Sequence, residues 1–364
     1  MRQFARFRST ITVASLVLTA IVTATPASAR QADRSTPARI PFTAAAVTRE
    51  STATWRVSWS APSSPIVLVF AGSRPGKLDR FVTVGRQRGA ITVHGRRREW
   101  FTLIPAHGAR LSIIERDLGL ASDPNLRDVG GYRTNSGQWV RMGVVYRSAA
   151  LTLSRADLTT VDGLGIATDY DLRTPAEQRT SPDVVPDGAT RLPLNVLGTD
   201  SFSAPPLAGP AAAQRFVKQI ERQFVTAASA KAAYHTLFTD LATSSGTSLY
   251  HCSAGKDRTG WATAVLLTLL GVPERTVMHD YLLSNRYYFE TPAVQAQLAA
   301  MPPAQAAIYR HLLDVEPAYL AAGFAQVRAS YGSMYNYAVR GLHLRPATIT
   351  LLKRKMLVGG PRTG

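Results

Sequence analysis

Residues 247–271 read TSLYHCSAGKDRTGWATAVLLTLLG, and this run leaves the chain few ways to fold. TSLYH is an apolar run of strand length, and WATAVLLTLL is one of helix length that closes at Gly271-Val272-Pro273. Both patterns belong to buried elements. Only six residues, Cys252 to Asp257, separate the strand from a helix opening at Arg258. A buried strand that turns directly into a buried helix is the unit of an α/β layer fold.

The sequence on either side agrees. From residue 117 onward strand-like and helix-like stretches alternate: WVRMGVVYRS, LSRADLTTVDGLG, IATDYDLR, ATRLPLN, then two helices within 211–243. This alternation predicts an α/β domain over 117–364, a central, mostly parallel sheet flanked by helices. Beyond 273 the pattern is helical, in PERTVMHDYLLSN, 303–313 and 345–357. Residues 45–116 differ. TWRVSWS alternates, and IVLVFAG, RFVTVG, AITVHG and REWFTLIP follow at short spacing between the turns SRPGK and RQRG. An N-terminal all-β sandwich is expected here, similar to a fibronectin type III-like module. RQADRSTPARIPFTA, residues 30–44, is expected to be a flexible leader.

At the start of the chain Arg2, Arg6 and Arg8 precede the apolar stretch Ile11 to Val22 and the small-residue site Ala27-Ser28-Ala29. That order predicts a secretory signal peptide over 1–29, cleaved near Ala29, and a secreted, extracellular protein. No later stretch is long enough to span a membrane. The formal charge of +18 falls to +15 without the three signal arginines. Such a surface favours anionic partners: phosphorylated substrates, acidic lipids or cell-surface polyanions. No zinc spacing or RNA-binding aromatic motif points to a specific nucleic acid.

One cysteine in 364 residues excludes a disulfide within the chain, so Cys252 is either a small buried apolar group or a reactive thiol. Its loop argues for reactivity. The backbone N–H groups of Ser253, Ala254, Gly255 and Lys256 can converge on an anion at the helix N-terminus, where the helix dipole also favours negative charge. Gly255 permits close backbone approach and positive φ. Arg258 can place two N–H bonds on two phosphate oxygens. The same positive field favours the Cys252 thiolate. His251 points to the opposite face of its strand and is expected to brace the loop. Thr259 offers a hydroxyl as a helix cap or as a donor to the sulfur.

HCSAGKDRTG resembles the signature of cysteine-dependent protein tyrosine phosphatases, in the form used by the bacterial secreted enzymes of mycobacteria and Listeria. NLRDVGGYRTNSG, VVYRSAAL, YDLRTPAEQ and DYLLSN resemble the same family in the same order, so that the likeness spans roughly 120–357. It implies a cysteine-phosphatase-like fold and no cofactor or metal. Cys252 would form a phosphocysteine intermediate, Arg258 would bind phosphate, and Lys256 would add a second cation, as in phosphoinositide phosphatases. Asp257 would be the proton donor or an acceptor for loop N–H groups. Two other acids compete for the proton-donor role, Asp200 in NVLGTDSF and Asp171 in YDLR. Asp171 with Arg173 reads better as an ion pair, and Asn125, Arg127 and Asp128 read as a turn supporting the site. Where family members carry an aspartate soon after an LP step, this chain has LPLNV.

The expected activity is hydrolysis of phosphotyrosine, with dual specificity open. The alternatives are a phosphoinositide phosphatase and a secreted phosphate binder without turnover. A nucleotide-binding loop is disfavoured, because GKD lacks the Ser or Thr required after the lysine and the spacing does not match. Because every motif of the site lies beyond residue 120, the N-terminal strands are expected to be dispensable for chemistry.

Overall fold

Alternating side chains in the N-terminal segment build two antiparallel sheets. A computed structural model of the chain describes residues 37–95 and 98–361; the expected signal peptide lies outside the described residues. Seven strands come first: β1 (Ala44–Ser51), β2 (Thr54–Ser60), β3 (Val67–Gly72), β4 (Arg80–Gly85), β5 (Arg88–His94), β6 (Trp100–Pro105) and β7 (Leu111–Ile113). They pair in the orders β1-β2-β5 and β4-β3-β6-β7. Trp55, Val57 and Trp59 of β2 turn inward and share one core with Val67 and Val69 of β3 and Phe101 and Leu103 of β6.

That core reaches beyond the expected boundaries. Ile40 and Phe42 are buried in it, so the flexible-leader expectation for 30–44 fails from residue 40 onward. The two residues sit two apart, the spacing that puts both side chains of an extended segment on one face. Trp139 and Met142, from further along the chain, join the same core.

The remaining chain alternates as expected. It runs through β8 (Arg127–Asp128), β9 (Trp139–Val140), β10 (Val145–Ser148), α1 (Arg155–Asp162), β11 (Ile166–Asp171), α2 (Pro175–Thr180) and β12 (Thr190–Pro193). Helices α3 (Pro210–Thr226) and α4 (Ala228–Thr243) lead to β13 (Thr247–His251) and α5 (Arg258–Leu269). Then follow α6 (Glu274–Ser284), α7 (Pro292–Ala299), α8 (Pro303–Leu313), α9 (Pro317–Tyr331), the single turn α10 (Met334–Asn336), α11 (Pro346–Met356) and β14 (Leu357–Val358). The central sheet has the order β12-β11-β13-β10-β8, with β8 antiparallel and the other four strands parallel. The chain is an α/β protein with antiparallel sheets at its N-terminal end.

Two details place the site. Strand β13 is the middle of the sheet, and all but one of the α5 residues are buried, as a helix apolar on every side requires. WVRMGVVYRS forms two short strands rather than one, because Gly143 adopts φ 77° and a Cβ there would lie 2.9 Å from the Trp100 ring.

Phe42→Ala should lower the unfolding free energy by about 3–5 kcal/mol, the usual cost of removing a buried phenyl ring. Equilibrium denaturation of the protein starting at residue 30 reads this; a change within experimental error would restore the flexible leader.

Candidate active site

The loop between β13 and α5 is shaped by what holds its carbonyls. His251 Nδ1 donates to Cys252 O at 3.2 Å, and Ala150 N donates to Ser253 O at 3.1 Å. Asn125 Nδ2 donates to Ala254 O at 2.8 Å, and Arg147 Nη2 donates to Gly255 O at 2.7 Å. Four successive carbonyls are therefore tied to the surrounding protein. In a planar trans peptide the C=O and the next N–H point in opposite directions. Tying carbonyls 252–255 outward turns the N–H groups of residues 253–256 the other way, toward the inside of the loop. Gly255 makes this possible: its φ is 68°, and a Cβ would lie 2.3 Å from Ser148 O.

The tethers are themselves anchored. Arg147 is fully buried, and its Nη1 donates to Asp280 Oδ2 at 2.8 Å. Arg127, also fully buried, donates to Asn125 O at 3.1 Å and to Asp280 O at 3.1 Å. Burial alone would raise the Asp280 carboxyl; Arg127, Arg147 and Arg116 outweigh it and hold it down at about 2. Asp128 acts one step further out, its carboxylate accepting from Gly130 N at 2.7 Å and Gly143 N at 2.6 Å. The sequence drew attention to Asn125, Arg127 and Asp128. It did not single out Arg147 or Asp280, although both lie in stretches, VVYRSAAL and DYLLSN, that carried the resemblance.

Inside the loop Cys252 is almost completely buried. Arg258, the first residue of α5, is clamped by an acid the sequence reading missed. Glu177 Oε2 accepts from Arg258 Nη1 and Oε1 from Nη2, both at 2.7 Å, while Ser253 Oγ donates to Oε1 at 2.5 Å. Burial pushes the Glu177 carboxyl up, but the Arg258 guanidinium overcomes this and holds it at about 2. Glu177 is fixed by its own short helix α2, where it closes a capping box with Thr174. The pattern T-x-x-E at 174–177 was the available signal.

The other expected residues divide. Lys256 Nζ lies 2.8 Å from Asp257 Oδ2, and this pair keeps the largely buried ammonium charged against its desolvation. Thr259 makes neither a capping hydrogen bond nor one to the Cys252 sulfur among the described residues. Its hydroxyl makes no hydrogen bond among the described residues, and the side chain of Asp257, the helix N-cap, accepts from no N–H of the first turn. Asp200 is exposed and pairs with Arg179 at 2.9 Å. Asp171 is buried in ion pairs with Arg173 at 2.8 Å and with Arg191, so its charge is already committed. Glu221 was also missed. It is fully buried, accepts from Tyr281 Oη at 3.2 Å, and has Oε2 without a partner among the described residues. Desolvation first, then the charge of Asp257, raises its carboxyl well above the usual range.

Behind the loop, His251 lies among carboxylates, with Nε2 3.3 Å from Asp169 Oδ1, 3.5 Å from Asp183 Oδ2 and 3.9 Å from Asp171 Oδ1. The alignment is electrostatic, since Nε2 makes no geometrically good hydrogen bond among the described residues. Asp169, Asp183 and His251 would bring three ligand-type atoms together for a metal. Arg173 at 2.5 Å and Arg191 at 3.0 Å already donate to Asp183 Oδ2, however, and three carboxylates facing two guanidiniums and one imidazolium are balanced. Burial opposes the charged ring, but Asp169 above all, with Asp171 and Asp183, raises it to about 9.

The family model of the tyrosine phosphatase family matches residues 118–358. A putative tyrosine-protein phosphatase of Cupriavidus necator is 33% identical over 266 residues, covering 69% of this chain and 91% of that protein. The triple specificity protein phosphatase PtpB of Mycobacterium tuberculosis is 30% identical over 274 residues, 64% of this chain and 96% of that protein. The chain belongs to the tyrosine phosphatase family and is a protein-tyrosine phosphatase.

The raised His251 ring gives a pH prediction. Its stabilising contribution is fully present below the unfolded value of about 6.5 and is lost as pH rises through about 9. The melting temperature should fall between pH 7 and 10, with a shallower slope in His251→Gln. Equal slopes would show that the imidazole is not charged in the native state.

Proposed function

We propose that the protein is an exported tyrosine phosphatase that works through a phosphocysteine intermediate. The observation that carries this reading is the set of four tethered carbonyls, which turns the N–H groups of residues 253–256 into a ready anion cradle beside Cys252. Phosphoryl transfer requires mainly positioning and stabilisation of charge spread over the phosphoryl oxygens. The cradle supplies both. Cys252 attacks phosphorus, the loop amides and Arg258 hold the equatorial oxygens, and the phenolic oxygen leaves. Glu177 takes one N–H from each terminal nitrogen of Arg258 and so fixes the plane of its guanidinium.

Asp257 is the proposed proton donor to the leaving oxygen and, in the second half-reaction, the base that activates water. It lies in the loop itself and its side chain reaches solvent, whereas Asp171 is buried and Asp200 lies outside the loop on an exposed segment. Ionic pairing with Lys256 steers the carboxylate between the two steps. Lys256 also favours a second reading, broader specificity extending to phosphoserine or phosphoinositides, because it adds a cation to the cradle. The mycobacterial relative carries triple specificity in its name. Export rests on the N-terminal sequence alone, and N-terminal sequencing of protein recovered from culture medium tests it: a mature form starting near Arg30 is expected.

Cys252→Ser should abolish turnover while retaining phosphate binding. Arg258→Lys should lose both, since an ammonium cannot reproduce the planar fork. Asp257→Asn should slow hydrolysis by about 10²–10⁴-fold for aryl phosphates with poor leaving groups, and far less for good ones. A uniform loss across the leaving-group series would remove Asp257 from the acid role. Rates on phosphotyrosine peptides, phosphoserine peptides and phosphoinositides decide between the two specificities.

A further inference from the structure

The family match begins at residue 118, but the hydrogen bonds that steady the phosphate loop continue upstream of it. Arg116 follows β7 by three residues. Its Nη1 donates to Tyr132 Oη at 2.8 Å, and its Nε donates to Gly130 O at 3.2 Å. Tyr132 Oη donates in turn to Asp280 Oδ1 at 2.9 Å. The other oxygen of Asp280 accepts from Arg147 Nη1 at 2.8 Å, and Nη2 of the same guanidinium donates to Gly255 O at 2.7 Å. Four hydrogen bonds thus run unbroken from the end of the N-terminal sheets to the middle of the loop. Tyr132, Asp280 and Arg147 are all buried, so water does not compete for the bonds between them.

The donor chemistry fixes the direction of this chain. Arginine can only donate, so the Tyr132 oxygen accepts from Arg116 and its single proton goes to Asp280. A carboxylate turns readily about its last torsion unless both oxygens are held. Tyr132 holds one oxygen of Asp280 and Arg147 the other. Because the guanidinium of Arg147 is a rigid plane, a turn of Asp280 moves Nη2 and with it the Gly255 carbonyl. The N–H of Lys256 belongs to that same peptide plane.

Arg116 is placed by the N-terminal sheets. Its neighbour Glu115 is buried and accepts from Arg49 Nε and Nη2, both at 2.8 Å, and from Trp55 Nε1 at 2.7 Å. Arg49 belongs to β1 and Trp55 to β2. The backbone at 115–116 is therefore pinned to the N-terminal sheet on one side, while the Arg116 side chain reaches into the phosphatase domain on the other.

We propose that Arg116 is a positioning residue for the phosphate loop, carried by the N-terminal sheets and acting through Tyr132, Asp280 and Arg147 on the Gly255 peptide. The proposal rests on the reading of the loop as the phosphate site. It replaces the expectation that the N-terminal strands are dispensable for chemistry, although none of their residues lies in the loop.

The test uses the full mature chain and three kinds of variant. Tyr132→Phe removes only the bridging hydroxyl, and Arg116→Met removes the donor. Arg116→Lys restores a donor. Val69→Ala, in the N-terminal core and away from the chain of bonds, is the control for simple loss of stability. Vanadate inhibition, kcat and KM on p-nitrophenyl phosphate, melting temperature, and amide hydrogen exchange of the segment 252–258 are measured for each. Tyr132→Phe and Arg116→Met should each weaken vanadate binding about tenfold and speed exchange in 252–258, with the double variant no worse than the singles. Arg116→Lys should recover part of the loss. Val69→Ala should lower the melting temperature and leave vanadate affinity and loop exchange unchanged. Vanadate affinity within twofold of wild type in both Tyr132→Phe and Arg116→Met would overturn the proposal, as would an equal loss in Val69→Ala. Failure of the phosphatase reading itself would show differently, as a wild-type chain that neither turns over nor binds vanadate. Hydrogen exchange would still report whether Arg116 holds the loop.

Discussion

Four successive carbonyls, Cys252 to Gly255, each give their lone pairs to a different partner outside the loop, and the arrangement of the site follows from that. A six-residue turn with unconstrained peptides would leave its amides pointing in many directions. Here every peptide from 252 to 256 is oriented by a bond on its far side. The cost of ordering is met when the protein folds, so the N–H groups of the loop are aimed in advance. Such preorganisation is what stabilises developing charge most effectively in a site that excludes water.

The partners that hold the loop are polar and buried, which imposes a second constraint. Arg127, Arg147 and Asp280 have almost no solvent access, and a lone buried charge would be prohibitively costly. Each is retained because the others are present. The same logic operates behind the loop, where His251 and two arginines balance three aspartates. Two clusters of buried ion pairs, one on each side of β13, leave the loop little freedom to relax. This is why Gly255, with its positive φ and its contact on Ser148, cannot be exchanged for a residue with a side chain.

Much of this was legible in the sequence. The strand–loop–helix run at 247–271, the buried cysteine that opens its loop, the arginine six residues later and the glycine between them follow from apolar patterning and the chemistry of anion binding. Asn125 lies where the turn NLRD promised a support. What could not be read were the partners distant in sequence. Nothing local in VVYRSAAL says that Arg147 spans from Asp280 to Gly255, because its contacts lie 133 and 108 residues away. Glu177 had a local sign, the capping box that fixes α2, but its hold on Arg258 is a tertiary fact. Thr259 is the opposite case. A hydroxyl at a helix start suggested a cap, yet burial against the sheet leaves it without a partner among the described residues. At the N-terminus a flexible leader was expected over 30–44, yet Ile40 and Phe42 lie in the core of the N-terminal sheets.

The most direct measurement of the central claim is a crystal structure of the mature protein soaked with vanadate. The account predicts vanadium bonded to Cys252 Sγ, with the N–H groups of residues 253–256 and the Arg258 guanidinium donating to its oxygens, and with Asn125 and Arg147 still bonded to the carbonyls of Ala254 and Gly255. Vanadate bound away from Cys252, or bound there only after those carbonyls had left Asn125 and Arg147, would contradict it.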